Sequence, residues 1–393
     1  MKKTHTILIP TMIDPHFDLM AEALKGGGYK IQILSNNQNN IATEGQRTVH
    51  NDMCYPAILV IGQFIDALKS GKFDTHKVAL IISQTGGGCR ASNYIYLLRK
   101  ALENSGFGYV PVVSLNTKNL DDNGFVLSKK LFIKIFLSVY YGDLFMTLYN
   151  QCVSYEKIPG QTKEIWNKTL KNIVSKVNTN EYYRFSKICK EILENFSTIE
   201  LDHSKKKVKV GIVGEIYMKY SSLGNNSLNE YLVSEGAEVV NTGLLDFLLT
   251  SIYDKIHDNE IYNTKNTGLK KIKMFIWILE TMQKKVIKLT KKYGFCPVTP
   301  YQEVRKAANG YISHGVKMGE GWLLTAEMVE FVQNDIKNIV CAQPFGCLPN
   351  HIIARGMIRK VKEHHPDANI TCVDYDFSAS AVNQENRIKL MLS

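Results

Sequence analysis

The segment VKVGIVGEIYMKYSSLGNNSLNEYLVSEGAEVV, Val208 to Val240, carries the pattern that decides the fold. A short apolar run (VKVGIVG) is followed by a polar loop, a stretch with helical spacing (NNSLNEYLVSE), a Gly turn and a second apolar run. Strand, loop, helix, Gly and strand is the βαβ unit of a parallel sheet. The same design recurs at the start of the chain. His5 to Leu34 reads as strand (TILIP), helix (FDLMAEALK), Gly turn (GGGYK) and strand (IQIL).

A second pair of segments matches in the same order. Lys77 to Leu115 reads as strand (VALIIS), loop (QTGGGCRASNY), helix (IYLLRKALENSG) and strand (VPVVSL). Asn338 to Asp376 reads as strand (NIV), loop (CAQPFGCLPN), helix (IIARGMIRKVKEHHP) and strand (ITCVDYD). Two matched pairs predict an α/β protein built from two duplicated parallel-sheet domains of Rossmann-like or flavodoxin-like type. Residues 1–120 form the first domain and residues 206–393 the second, with a helical insertion. Residues 121–205, whose apolar positions recur at helical spacing, form a helical connection. Leu244 to Tyr293 also reads as largely helical and decorates the second domain.

At 393 residues, two domains are the natural expectation. Hydrophobic residues make up 45% and charged residues 22%, as in soluble globular proteins rather than disordered ones. The net charge of +11 favours acidic partners, but the lysines are scattered and read as solvated helix faces. No nucleic-acid-binding signature accompanies them, so no nucleic-acid partner is expected. The N-terminal MKKTHTILIPTMIDPHF reads as a buried first strand, not a signal peptide. The most apolar stretch, Leu131 to Tyr149, is interrupted by Lys134 and Asp143 and reads as a core helix rather than a membrane span. A cytoplasmic location follows as the expectation. There, eight cysteines are thiols or metal ligands rather than disulfides.

In open parallel sheets, ligands bind beyond the carboxyl ends of the strands. Cys89 and Cys347 fall in equivalent loops of the two halves, Cys341 at the end of its strand, and Cys54 before a helix (AILVIGQFIDALKSG). If the halves face each other, these thiols converge on the cleft between them and form a metal site. Gly86, Gly87, Gly88 and Gly346 let the backbone approach a bulky inorganic centre and offer N–H groups to it. Such donors, with the helix start, should lower the thiol pKa. Soft thiolates without competing carboxylates suit an iron–sulfur cluster, and neither Gly-Cys loop contains Asp or Glu. There is no C-x-x-C, hence no zinc ribbon or ferredoxin run; a structural zinc site stays open as an alternative. Cys152, Cys189 and Cys372 lie in regular helical or β runs and read as buried core. Cys296, before Pro297, leans the same way. Glu215, His314 and Glu320, in Gly-rich loops of the second half, are candidate acid–base groups, with capping and turn roles an equal alternative. No dinucleotide fingerprint or P-loop is present.

Several blocks together resemble the 2-hydroxyacyl-CoA dehydratase D-component family, most closely its branch of acyl-CoA dehydratase activase-related proteins. They are CYPA (54–57), QTGGGCRASNY (84–94), VGEIYMKYSSLGNN (213–226), GYISHGVKMGEGWLLTAEM (310–328) and CAQPFGCLPNHI (341–352). The resemblance implies a [4Fe–4S] cluster on three cysteines, with an exchangeable or extra ligand at the fourth iron. Cys54, Cys89 and Cys347 match the cysteine positions, and Cys341 is the candidate fourth ligand. A related branch carries a double-cubane [8Fe–9S] cluster and reduces small molecules. That cluster needs six cysteines, whereas four here sit in suitable loops, so a single cubane is expected. The resemblance further implies a separate ATP-hydrolysing activase with its own iron–sulfur cluster, a CoA thioester or other small-molecule substrate, and a homodimer. The function expected is a low-potential reductase or dehydratase component. The alternatives are a non-catalytic cluster protein for electron transfer or assembly, and a double-cubane reductase.

Overall fold

A computed structural model of the chain describes residues 4–37, 40–50, 52–83, 88–115, 128–264 and 268–393. Two four-stranded, all-parallel sheets form its frame. In the first, β1 (Thr6–Ile9), β2 (Lys30–Ile33), β3 (Val78–Ser83) and β4 (Val112–Leu115) lie in the order β2-β1-β3-β4. In the second, β5 (Val208–Gly214), β6 (Ala237–Asn241), β7 (Asn338–Pro344) and β8 (Asn369–Tyr375) lie in the order β6-β5-β7-β8. The two orders are the same, so the repeated design seen in the sequence is a repeated topology. The inner strands β3 and β7 are almost wholly buried, as strands covered on both faces must be.

In the first half, α1 (His16–Gly26) connects β1 to β2, and α2 (Ile41–Thr48) and α3 (Tyr55–Lys69) connect β2 to β3. The helix α4 (Tyr94–Asn104) connects β3 to β4. Three helices follow: α5 (Lys129–Val153), α6 (Gln161–Lys176) and α7 (Phe185–Phe196). After β5 the chain forms the helix that NNSLNEYLVSE predicts, shortened to Leu228–Ser234 (α10), and adds two short helices in the loop before it, α8 (Ile216–Tyr220) and α9 (Ser222–Asn225). Asn226 and Ser227 both have positive φ, 52° and 56°, which breaks the helix between α9 and α10.

The long helices α11 (Leu244–Tyr262) and α12 (Leu269–Lys292) come next, then α13 (Tyr301–Ala307) and α14 (Trp322–Gln333). The chain ends with α15 (Arg355–His364) and α16 (Ala381–Leu392). Rather than only decorating the second half, α11 and α12 join α5 and α7 in one apolar core that also holds α1. The connection and the later helices therefore form one helical body packed on the first sheet, with α5 also touching β6. Cys152 and Cys189 are fully buried in it, as their helical runs predict. The helix Lys129–Val153 is long and apolar enough to cross a membrane, but 61% of its most apolar window is buried inside the protein.

One polar contact ties this assembly together. Asp143 of α5 lies 2.8 Å from His16 Nε2 of α1 and accepts the Leu244 and Leu245 N–H groups of α11 at 2.8 and 3.0 Å. A Cβ on Gly142 would fall 2.4 Å from the His16 ring, and one on Gly243 2.4 Å from Asp143 Oδ2, so both positions require glycine. Removing the carboxylate would leave a fully buried His16 and two helix N–H groups without their acceptor. Asp143→Ala should cost about 3 kcal/mol, and Asp143→Asn less, as read from urea unfolding midpoints.

Candidate functional site

Three cysteines meet where the two sheets face each other. Cys54 is the residue before α3, with extended backbone (φ −63°, ψ 143°). Cys89 has a similar conformation (φ −80°, ψ 146°) and precedes a short 3-10 turn, Arg90–Asn93, that runs into α4. Cys347 follows β7 and precedes the π-helical turn Asn350–Ala354, which leads into α15. Each thiol thus sits beside the start of a helical segment.

Several contacts bring the three loops together. Tyr55 N donates to Phe345 O at 2.9 Å, joining the start of α3 to the Cys347 loop. A Cβ on Gly346, whose φ is 69°, would lie 3.3 Å from Cys54 Cα. From the loop before α14, a Cβ on Gly319 would lie 3.6 Å from Cys89 Sγ and 2.8 Å from Pro349 Cγ. Gly88 lies against the Met318 side chain, whose Sδ a Cβ there would meet at 2.3 Å. Gly86 and Gly87 lie outside the described residues.

Two carboxylates close the site from the second half. Glu215 Oε2 accepts the Met218 N–H at 3.0 Å, and Glu320 Oε1 accepts the Ile216 N–H at 3.0 Å. The other oxygen of Glu320 is buried without a partner among the described residues. Burial, then the Glu320 charge, pushes the Glu215 carboxyl up from 4.5 to about 8, and burial also raises that of Glu320. At neutral pH the pair therefore retains a proton. The same charges face the thiols: Glu215 acts on Cys54, and both glutamates act on Cys89 and Cys347.

The thiols consequently do not have the lowered pKa that their helix-start positions suggest. Burial pushes Cys89 up to about 12 and raises Cys54 and Cys347, outweighing the N–H donors of Ala57, Ala91 and Asn350. The loops themselves lack Asp and Glu, yet carboxylates reach the thiols from other segments. Without a cation the three sulfurs stay protonated.

Cys341 does not join them. Its side chain is fully buried in the core beneath α14, in register with Cys372 on β8, with which it shares a hydrogen bond. Period-two alternation along β7 turns it away from the loop that carries Cys347. His314 also lies elsewhere: its ring stacks on His257, meets Trp322 edge-on, and sits 3.1 Å from the Arg305 carbonyl oxygen. Burial holds its pKa low, against the hydrogen bond with the Arg305 carbonyl, which raises it. Cys372 is half-buried on its strand, and Cys296 is exposed.

Two residues not singled out in the sequence complete the site. The Tyr94 hydroxyl lies 3.2 Å from Cys54 Sγ, and Asn350 Nδ2 lies 3.2 Å from Cys347 Sγ. Both fall within a turn of a cysteine in sequence, which is the signal that marks them. Tyr94 and Glu215 also line a cavity of about 230 Å³ whose walls are mostly apolar, including Ile9, Met12, Phe17 and Ile81.

Soft thiols are the donor type that an iron–sulfur cluster takes. Among the described residues, no three His, Cys, Asp or Glu side chains converge on a single metal ion. A cluster takes one thiolate on each of several irons, so its thiols stand apart around it. Three loop cysteines from both halves fit that requirement. The chain matches no protein-family model and no curated protein sequence.

The protonated pair has a measurable consequence for the metal-free protein. A carboxyl whose pKa is raised on folding contributes its stability below the unfolded value and loses it as pH rises through the folded one. Stability should thus decline between pH 4.5 and about 8 as Glu215 is forced to ionise. Glu215→Gln should flatten that decline in urea titrations run across the range; an unchanged slope would remove Glu215 as its source.

Proposed function

We propose that the chain is the iron–sulfur component of a low-potential redox system, a reductase or a 2-hydroxyacyl-CoA dehydratase-like subunit. The observation that carries this reading is that Cys54, Cys89 and Cys347 meet beside a protonated carboxylate pair and an apolar cavity. The cluster would be held by these three thiols in the cleft between the halves, as a [4Fe–4S] cubane. A separate ATP-hydrolysing activase would feed it electrons, in keeping with the absence of a P-loop from the sequence. Eight free thiols suit a reducing cytoplasm.

When bound, such a cluster supplies single low-potential electrons. The protein's own groups do the rest. The cavity of about 230 Å³ takes the apolar part of a small substrate, such as the acyl arm of a CoA thioester, and keeps water from it. Glu215 lines that cavity and, with Glu320, holds a proton at neutral pH. A carboxyl kept neutral in this way can donate to a substrate oxygen and protonate a leaving hydroxide. Tyr94 touches the Cys54 thiol and lines the cavity, so it positions both.

Iron and acid-labile sulfide per chain, measured after anaerobic reconstitution with zinc in parallel, test the reading. About four irons per chain would support a single cubane, and about eight a double cubane. Cys54→Ser, Cys89→Ser and Cys347→Ser should each lose the cluster, whereas Cys152→Ser and Cys341→Ser should keep it. Bound zinc without iron would identify a structural metal protein, and no metal after reconstitution would end the redox reading.

A further inference from the structure

On the far side of the helical body a second, more polar cavity opens, with a volume of about 250 Å³. It lies between β6, the N-terminal turn of α11, the end of α14 and the 296–299 loop. Its floor carries Asp246, Glu330 and Asn241, which are 4%, 5% and 7% exposed. Cys296 and Asn334, both exposed, stand at its rim.

The floor holds more acid than the protein neutralises. Glu238 is paired, with Lys209 at 3.6 Å and Tyr155 Oη donating at 2.9 Å. Among the described residues, the Asp246 carboxylate accepts a side-chain hydrogen bond from Gln283 Nε2 at 3.3 Å on its Oδ1. Glu330 Oε1 accepts from Thr299 and Asn334, while its Oε2 has no partner. Asn241 Oδ1 is likewise buried without a partner. Among the described residues, neither Asp246 nor Glu330 forms an ion pair. The nearby Lys219 is committed to Glu327 at 2.8 Å. Burial raises both carboxyls, Glu330 to about 7, as expected where a countercharge is missing.

We propose that this cavity binds a small primary amine, its ammonium group received by Asp246, Glu330 and Asn241. An ammonium has three donors and no acceptor, which matches a floor with two unpartnered oxygens, Glu330 Oε2 and Asn241 Oδ1, beside the Asp246 carboxylate. The volume equals about eight waters, too large for a bare divalent cation, which needs six or more oxygens close around it. Val239, Val298, Val304 and Phe331 supply apolar wall for the rest of the molecule. The ligand is therefore an alkylamine of about six to eight non-hydrogen atoms with an uncharged body. A carboxylate on the same body would be repelled by the floor.

The probes are 3-methylbutan-1-amine, the matching alcohol 3-methylbutan-1-ol, and leucine, which adds a carboxylate to the amine. The amine should raise the thermal midpoint of the full chain at millimolar concentration, and the other two should not. It should also slow alkylation of Cys296, read by peptide mass spectrometry, whereas the alcohol should leave that rate unchanged. Glu330→Gln and Asp246→Asn should each raise the midpoint of the ligand-free protein, by removing an unpaired buried acid, and weaken amine binding at least about tenfold. Equal shifts from amine and alcohol, unchanged amine affinity in folded Glu330→Gln, or no protection of Cys296 in the unaltered protein would each overturn the assignment. The last readout decides the matter even if a variant fails to fold.

Discussion

The contact of Asp143 with α1 and the start of α11 is the constraint on which the arrangement of the two halves depends. Its carboxylate joins His16 at the start of α1 in the first half to the first N–H groups of α11 in the second. Helix α5, which carries it, is the longest element of the connection. The N-terminal turn of α11 has backbone donors that no earlier residue of its own helix can accept, so the acid satisfies them. Glycines at 142 and 243 permit the approach. Because a buried carboxylate with fixed donors has one good geometry, the contact sets distance and orientation together in a way that apolar packing alone does not.

The site inherits its geometry from that arrangement. Cys54 and Cys89 come from the first half, Cys347, Glu215 and Glu320 from the second, and Gly319 reaches across to Cys89. Neither half alone gathers three thiols. The Phe345–Tyr55 backbone hydrogen bond is the local stitch that holds the Cys347 loop to the start of α3. Burial at this seam makes every acid in it weak, which is why the thiols and the glutamate pair are all shifted the same way.

Much of the frame was legible because each half repeats the same alternation of apolar run, Gly turn and helical spacing. All eight strands of the two sheets fall within the predicted βαβ segments, and the identical strand orders follow from the duplication. The break at Asn226–Ser227 was not legible, since polar residues with left-handed backbone look like an ordinary helix start in one dimension. Nor was the packing of α11 and α12 onto α5 and α7, because an amphipathic face does not name its partner. At the site, loop position brought Cys54, Cys89 and Cys347 forward, and the structure places their loops together. Cys341 stood only six residues from Cys347, but the pleat of β7 sends its side chain into the core. His314 likewise shares a Gly-rich stretch with Glu320, yet the turn between them directs the ring onto His257. Sequence proximity fixes which loop a residue rides on, not which way it points.

The charge of +11 and the two cavities have a common explanation. The lysines of α12, among them Lys270, Lys273, Lys284 and Lys291, are exposed, so the excess positive charge lies on the surface. The interior has the opposite balance. Glu44, Asp143, Glu238, Asp246, Glu320, Glu327 and Glu330 are buried, whereas Lys219 is the one buried lysine among the described residues, and no described arginine is buried. Helix N–H groups, hydroxyls and neighbouring cations satisfy Glu44, Asp143, Glu238 and Glu327. Among the described residues, Glu320 at the thiol site and Glu330 at the polar cavity each keep a buried oxygen without a partner, and Asp246 beside Glu330 forms no ion pair. An unpaired buried acid costs stability unless it keeps its proton or meets a positive charge. The thiol site and the polar cavity thus carry a deficit of positive charge in a chain whose cations lie mostly on the surface.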